Sequence, residues 1–264
     1  MLNLIYIILL LLLKSTNAIK IIDTSIKIAQ ASYCIEPFKN DNTNILEYDI
    51  NKNSMRALVG HNKEYNLSFV SYRGSENIKN WINNLNIRMT YPYKSFPNVG
   101  VEAGFYKSYN ILYDEIIVAI RETSYKYRTT QLLLTGHSLG SIATLLAFDI
   151  INDYKQYKIH SLVTFGSPRI GNNEFVDNFK ILNINSFRVT HYYDLVPHLP
   201  LESFGYSHIP NEIWYNQDNS EYIKCNDEEN EDPNCSDSCS PTSCTSISDH
   251  MNYLNVSIGI NGDC

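Results

Sequence analysis

Beyond residue 13 the sequence has no second long apolar run, which argues against a protein that crosses a membrane repeatedly. The run it does have, Leu2 to Leu13, covers twelve residues, short of the roughly 20 that a helix needs to span a bilayer. Basic residues are scarce there too: Lys14, behind the run, is the only one before the small residues Ser15-Thr16-Asn17-Ala18. An apolar core of this length followed by small residues reads as a signal peptide over 1–18. The weak basic flank leaves an uncleaved anchor as the alternative.

Positive charge is also in deficit, with 21 Lys and Arg against 28 Asp and Glu, a net charge of −7. Losing residues 1–18 would remove Lys14 alone, leaving 20 basic residues and a net charge of −8. Such a surface argues against nucleic acid or an anionic membrane as the main partner, while neutral lipid or a neutral ester stays compatible. Internal repeats and proline-rich linkers are absent, so residues 19–264 read as one large α/β domain.

All six cysteines (Cys34, Cys225, Cys235, Cys239, Cys244 and Cys264) lie behind the leader. An even count in that context predicts three disulfides and an oxidising, secretory compartment. A zinc site is the poorer reading, because Cys239 and Cys244 have no Cys or His at knuckle spacing. No metal and no organic cofactor is expected. The acid run 227–232 and the Ser/Cys-rich stretch to Cys244 lack periodicity and predict a loop, read as plain solvated surface in preference to a calcium site.

Asp23 or Thr24 reads as the cap of a helix running towards Tyr33. Leu67–Tyr72 alternates as a strand ending at Arg73-Gly74, and Phe105, Tyr109, Leu112, Ile116 and Ala119 keep helical spacing. Gln131–Thr135 and Ser161–Phe165 are short continuous apolar runs, the mark of strands buried on both faces, with an Ala/Leu/Ile-rich helix over 141–151 between them. Phe187–Tyr193 reads as a further strand. Strands alternating with helices imply a mostly parallel sheet covered on both sides.

Within that pattern, Gly136-His137-Ser138-Leu139-Gly140 follows a buried strand and opens a helix, the context of a nucleophile elbow. The two glycines suit so tight a turn, and the helix behind Ser138 presents its positive end to a developing oxyanion. A serine nucleophile needs a base and an orienting carboxylate, in the chain order Ser, acid, His. Of Asp149, Asp153, Asp177, Asp194 and Asp218, the acid role fits Asp194, which follows a strand and precedes Leu195-Val196-Pro197. Of His191, His198, His208 and His250, the base role falls to His250, on a loop near the cysteines, with His208 second. The oxyanion hole would use the Leu139 amide and Ser75, which follows Arg73-Gly74. Ile78, Trp81, Ile82 and Leu85 then form an apolar stripe, read as a short amphipathic lid.

These stretches resemble the fungal-type triacylglycerol lipase family, lipase class 3. The resemblance rests on Ala31-Ser32-Tyr33-Cys34, Tyr72-Arg73-Gly74-Ser75, Ile78-Lys79-Asn80-Trp81-Ile82 and Gly104-Phe105. It rests also on Thr135–Gly140, Thr164-Phe165-Gly166-Ser167-Pro168-Arg169, Asp194–Pro197 and Asp249-His250. It implies an α/β-hydrolase fold with a short helical lid and Ser138, Asp194 and His250 as the triad. It also implies the disulfides Cys34–Cys264 and Cys225–Cys235; Cys239 and Cys244 remain, an additional pair. Many relatives carry His where this chain has Glu102, a departure that bears on fine tuning near the site. The implied activity is hydrolysis of glycerolipid acyl esters through an acyl-enzyme, by a secreted monomer acting at a lipid–water interface. A phospholipase A1, an esterase for soluble esters and a non-catalytic secreted lipid-binding protein are the rivals. Asn66, Asn234 and Asn255 open formal glycosylation sequons.

Overall fold

A computed structural model describes residues 2–39, 41–226, 231–239, 243–262 and 264, with the backbone alone described for 2–16. Its first element corrects the expected helix start at Asp23 or Thr24. Helix α1 runs unbroken from Leu2 to Ala31, because no proline or glycine interrupts it. Ile21, Ile22, Ser25, Ile26, Ile28 and Ala29 are buried, while Asp23 is exposed on the polar face. Spacings of three and four residues place that apolar stripe on one side, against the sheet. Among the described residues no helix is long and apolar enough to cross a membrane.

Eight strands form the central sheet: β1 Asn44–Lys52, β2 Met55–Asn62, β3 Leu67–Tyr72, β4 Gln131–His137, β5 Lys158–Phe165, β6 Ser186–His191, β7 Glu212–Tyr215 and β8 Tyr222–Lys224. They lie side by side in sequence order. Strands β1 to β3 are antiparallel, β3 to β7 parallel, and β8 antiparallel again. The parallel centre follows from helical crossovers: α2 Ile78–Asn83 and α3 Ala103–Tyr127 before β4, α4 Ala143–Asp153 before β5, and α5 Asn173–Ile181 before β6. The β1–β2 hairpin, α5, β7 and β8 escaped the sequence reading. β8 is exposed throughout, and the hairpin's first strand is mostly half-buried, so neither carries a continuous apolar run.

Successive residues of a strand point to opposite faces, and the core divides accordingly. Leu132, Leu134 and Leu162 join Tyr109, Leu112, Ile116, Leu145 and Phe175 beneath α3, α4 and α5. Leu133, Val163 and Val189 join Ile22, Ile26 and Tyr253 beneath α1 and a C-terminal ribbon. Each leucine side chain so buried contributes about 1.5–3 kcal/mol.

The C-terminal part differs from expectation in two places. The strand predicted over Phe187–Tyr193 ends at His191, and His250 closes a four-residue helix, α6 Ile247–His250, rather than lying in a loop. Residues 227–230 of the acid run and 240–242 of the Ser/Cys stretch lie outside the described residues. The rest of the run is not solvated surface. Glu231 pairs with buried Arg169, and Asp232 accepts the Asn226 and Asn234 amides at 2.8 and 2.9 Å. Disulfides join Cys34 to Cys264, Cys225 to Cys235 and Cys239 to Cys244. The first ties the end of α1 to the C-terminal ribbon across 230 residues.

Candidate active site

Strand β4 delivers Ser138 from the middle of the parallel sheet, at its carboxyl edge, where open α/β sheets bind ligands. Ser138 holds φ at +58°, left-handed for a non-glycine residue, and a single 3-10 turn over Ser138–Ile142 leads into α4. So sharp a reversal brings backbones into contact. A Cβ on Gly136 would lie 2.1 Å from the Gly140 carbonyl oxygen, and one on Gly140 2.2 Å from that of Tyr72. The strain, of order 1–3 kcal/mol, is sustained because the segment is buried on all sides.

Asp194 follows β6 and lies 2.8 Å from Nδ1 of His250 through Oδ2. The same oxygen accepts the Tyr253 hydroxyl, while Oδ1 accepts the Val196 amide at 2.8 Å. Because the carboxylate only accepts, Nδ1–H of His250 donates to it. His250 Nε2 and Ser138 Oγ are both buried, and neither has a hydrogen-bond partner among the described residues. Serine and histidine are 1 % and 0 % exposed, so the site is closed to bulk water.

The imidazole of His137 braces the constellation. Its Nε2 lies 2.8 Å from the His250 carbonyl oxygen, which can only accept, so Nε2–H donates. Nδ1 therefore accepts the Tyr33 hydroxyl at 2.9 Å. Burial, and then the proximity of His250, holds the His137 imidazole well below its usual range, which keeps it neutral. Tyr33, from the turn after α1, also receives the Gly74 amide. Gly74 is so close that a Cβ would meet the Tyr33 hydroxyl at 2.2 Å and Ser138 Cβ at 3.0 Å. Ser75, half-buried, is thus presented beside the elbow. Tyr33 and His137 had no role in the sequence reading; their signal was the match at Ser32-Tyr33-Cys34 and the histidine inside the elbow itself.

The other candidates have different surroundings, and His198 among them has neither ring nitrogen hydrogen-bonded among the described residues. His208 is buried and donates Nε2–H to the Pro197 carbonyl at 2.7 Å. His198 is buried beside Arg169, and His191 uses Nδ1 to hold the Asp249 carbonyl at 2.9 Å. Asp149 accepts the Tyr109 hydroxyl at 2.6 Å within a tyrosine cluster, and burial, augmented by Asp153, pushes its carboxyl up to about 6. Asp177 is exposed on α5, and Asp218 caps Ser220.

Helix α2 lies beside the elbow, across a shared cavity. Asn77 caps it by accepting the Asn80 amide, none of its residues is fully buried, and Trp81 stacks on Phe105 at 6.0 Å between ring centres. Ile78, Trp81 and Ile82 are half-buried, and Leu85 lies past the helix end, packed with Trp81 against the core. Between α2 and the elbow lies a cavity of about 290 Å³, bordered by Trp81, Leu85, Phe105, Leu139 and Glu102. Glu102 caps α3 by accepting the Phe105 amide at 2.5 Å. Burial raises its carboxyl above the usual range, an effect that the Gly104 and Phe105 amides offset in part.

Residues 69–204 match the family model described as Lipase (class 3). The chain belongs to the class 3 lipase family. A lipase of Rhizomucor miehei is 30 % identical over 221 residues, which cover 81 % of this chain and 58 % of that protein. A secreted mono- and diacylglycerol lipase A of Penicillium cyclopium is 33 % identical over 159 residues, covering 60 % of this chain and 51 % of the relative. This family member thus spans little more than half the length of those relatives. The fold extends further than the sequence match: the structure of lipase II from Rhizopus niveus superposes with a TM-score of 0.84 at 25 % identity, over 93 % of this chain and 97 % of the other. The α/β-hydrolase architecture read from the sequence is therefore the architecture of the family.

Proposed function

We propose that this chain is a secreted serine ester hydrolase that cleaves acyl esters of glycerolipids, as a monomer at a lipid–water interface. The observation that carries the reading is the buried Asp194–His250 pair next to the left-handed elbow: the ring of His137, which precedes Ser138, lies 4.5 Å from that of His250. His250 would take the Ser138 proton as Oγ attacks the ester carbonyl, with Asp194 stabilising the imidazolium. The Leu139 amide and Ser75 would hold the oxyanion. The alcohol leaves with a proton from His250, and water activated by the same imidazole releases the fatty acid. Protein groups supply every step of this scheme.

Secretion is supported by the apolar run before Ser15 and by the three disulfides. Cleavage after Ala18 would leave in place the buried residues of α1 from Ile21 on. Residues 19–264 would then act as one domain. The α2 segment, with Ile78, Trp81, Ile82 and Leu85, is the proposed lid: its apolar side would exchange the protein for lipid as it opens. Ser138→Ala should lower hydrolysis of a triacylglycerol emulsion by about 10⁴–10⁶-fold. Parallel assays on phospholipid vesicles and a soluble short-chain ester separate a lipase from a phospholipase A1 or an esterase. Wild type and variant equally inert on all three would overturn the reading.

A further inference from the structure

The cavity beside the elbow holds a group that the acyl-transfer scheme leaves unused. Glu102 is only 1 % exposed and borders the cavity together with the oxyanion donor Leu139. Its Oε2 accepts the Phe105 amide, which satisfies the helix end. Its Oε1 is buried with no hydrogen-bond partner among the described residues. A buried, unpaired carboxyl oxygen is costly, more so when charged, unless a donor fills it. A substrate whose alcohol part lies in the cavity must offer that partner or leave the oxygen stranded.

The chemistry of the replacement is constrained. A carboxylate oxygen only accepts, so the incoming group must donate. An acyl chain offers nothing, and an ester oxygen offers only lone pairs. An aliphatic hydroxyl both donates and accepts, and so satisfies the carboxyl in either protonation state. The surroundings agree: Asn80, Asn84, Asn86 and Ser108 line the same cavity as Trp81 and Phe105. An alcohol moiety with one apolar flank fits that lining better than a hydrocarbon chain does.

Resting on the proposed ester hydrolysis, we infer that Glu102 is a specificity-determining residue that selects acyl esters whose alcohol part keeps a free hydroxyl, partial glycerides above fully esterified ones. The hydroxyl donates to Glu102 Oε1 while the scissile ester lies at Ser138. A charge-assisted hydrogen bond of this kind discriminates against a partner that cannot donate by about 10–100-fold.

The test compares a monoacylglycerol with its di-O-methyl ether of the same acyl chain, both in one detergent micelle, using the full chain. The ratio of kcat/KM values is read within each protein, so changes in overall turnover cancel. Wild type should favour the hydroxyl form about 10–100-fold. Glu102→Gln keeps a carbonyl to cap α3 and puts an N–H donor towards the cavity, which an ether oxygen can accept. Its ratio should fall to within about 3-fold of unity, the loss of a charge-assisted bond. Glu102→Leu, checked for folding by its thermal transition, should lose the preference as well. Equal rates on both substrates in wild type, or a preference that survives in Glu102→Gln, would overturn the assignment. Failure to cleave either substrate or a soluble short-chain ester would instead overturn the hydrolase reading on which it rests.

Discussion

The elbow and the segment carrying His250, the proposed base, are held in place by opposite means. Residues 131–147 are one uninterrupted stretch in which β4 is hydrogen-bonded on both sides, to β3 and β5, and everything from Leu132 on is buried. Residues 246–253 comprise a single helical turn and a two-residue strand that lies outside the sheet. The base segment is held by scattered ties. The Ser246 amide donates to the Tyr193 carbonyl at 3.0 Å, and the histidines His191 and His137 grip the Asp249 and His250 carbonyls at 2.9 and 2.8 Å. A nucleophile set by backbone geometry is rigid by construction. A base set by side-chain ties depends on every element that contributes one.

Breaking the join between the two segments should have the largest consequence. Asp194→Asn removes the carboxylate that keeps the proton on His250 Nδ1, and kcat should fall about 10³–10⁴-fold with little change in KM. Folding should persist, because the amide can still accept the Val196 N–H. Retention of more than a tenth of the activity would show that Asp194 does not orient the base.

A smaller effect should separate the stability of the base segment from that of the elbow. Replacing Cys34 and Cys264 together by serine releases the C-terminal ribbon, at a cost of about 3–5 kcal/mol in unfolding free energy by denaturant titration. Hydrolysis measured well below the new transition should change less than tenfold, since the elbow needs no such clamp. A loss of activity exceeding the loss of folded protein would mean that the disulfide positions His250 directly.

The smallest effect concerns the elbow's own helix. Asp149 in α4 has its carboxyl raised from the ordinary 3.8 to about 6, chiefly by burial. The fold therefore favours the protonated form. Asp149 costs nothing below about pH 4, and its penalty grows as pH rises and is complete above about pH 7, reaching at most about 3 kcal/mol. Asp149→Asn, which keeps an acceptor for Tyr109, should raise the transition temperature more at pH 8 than at pH 4.5. Parallel pH–stability curves for the two proteins would refute this account.

Much of this architecture was legible in the residue order, and the exceptions have physical causes. Leu67–Tyr72 and the strands at 131 and 161 announced themselves because strands buried on both faces must be apolar throughout. The β1–β2 hairpin is hidden because β1 is mixed in exposure, and β2 carries buried Arg56, His61 and Asn62, polar residues that interrupt its apolar run. Arg56 donates to the carbonyls of Ser32 and Cys34, at the end of α1. Asp23 and Thr24 looked like a cap because capping residues are recognised locally, whereas a helix stops only where its backbone finds another partner.

The elbow belongs to residue order alone: two glycines, a buried strand before them and a helix-former run behind admit only one turn, since any larger residue would collide with the backbone. The choice between His208 and His250, the linkage of Tyr33 to His137 and the unpartnered oxygen of Glu102 belong to the tertiary structure. Each depends on groups more than ten residues apart in the chain meeting in a dry interior, where one missing hydrogen bond decides which histidine is free and which is held.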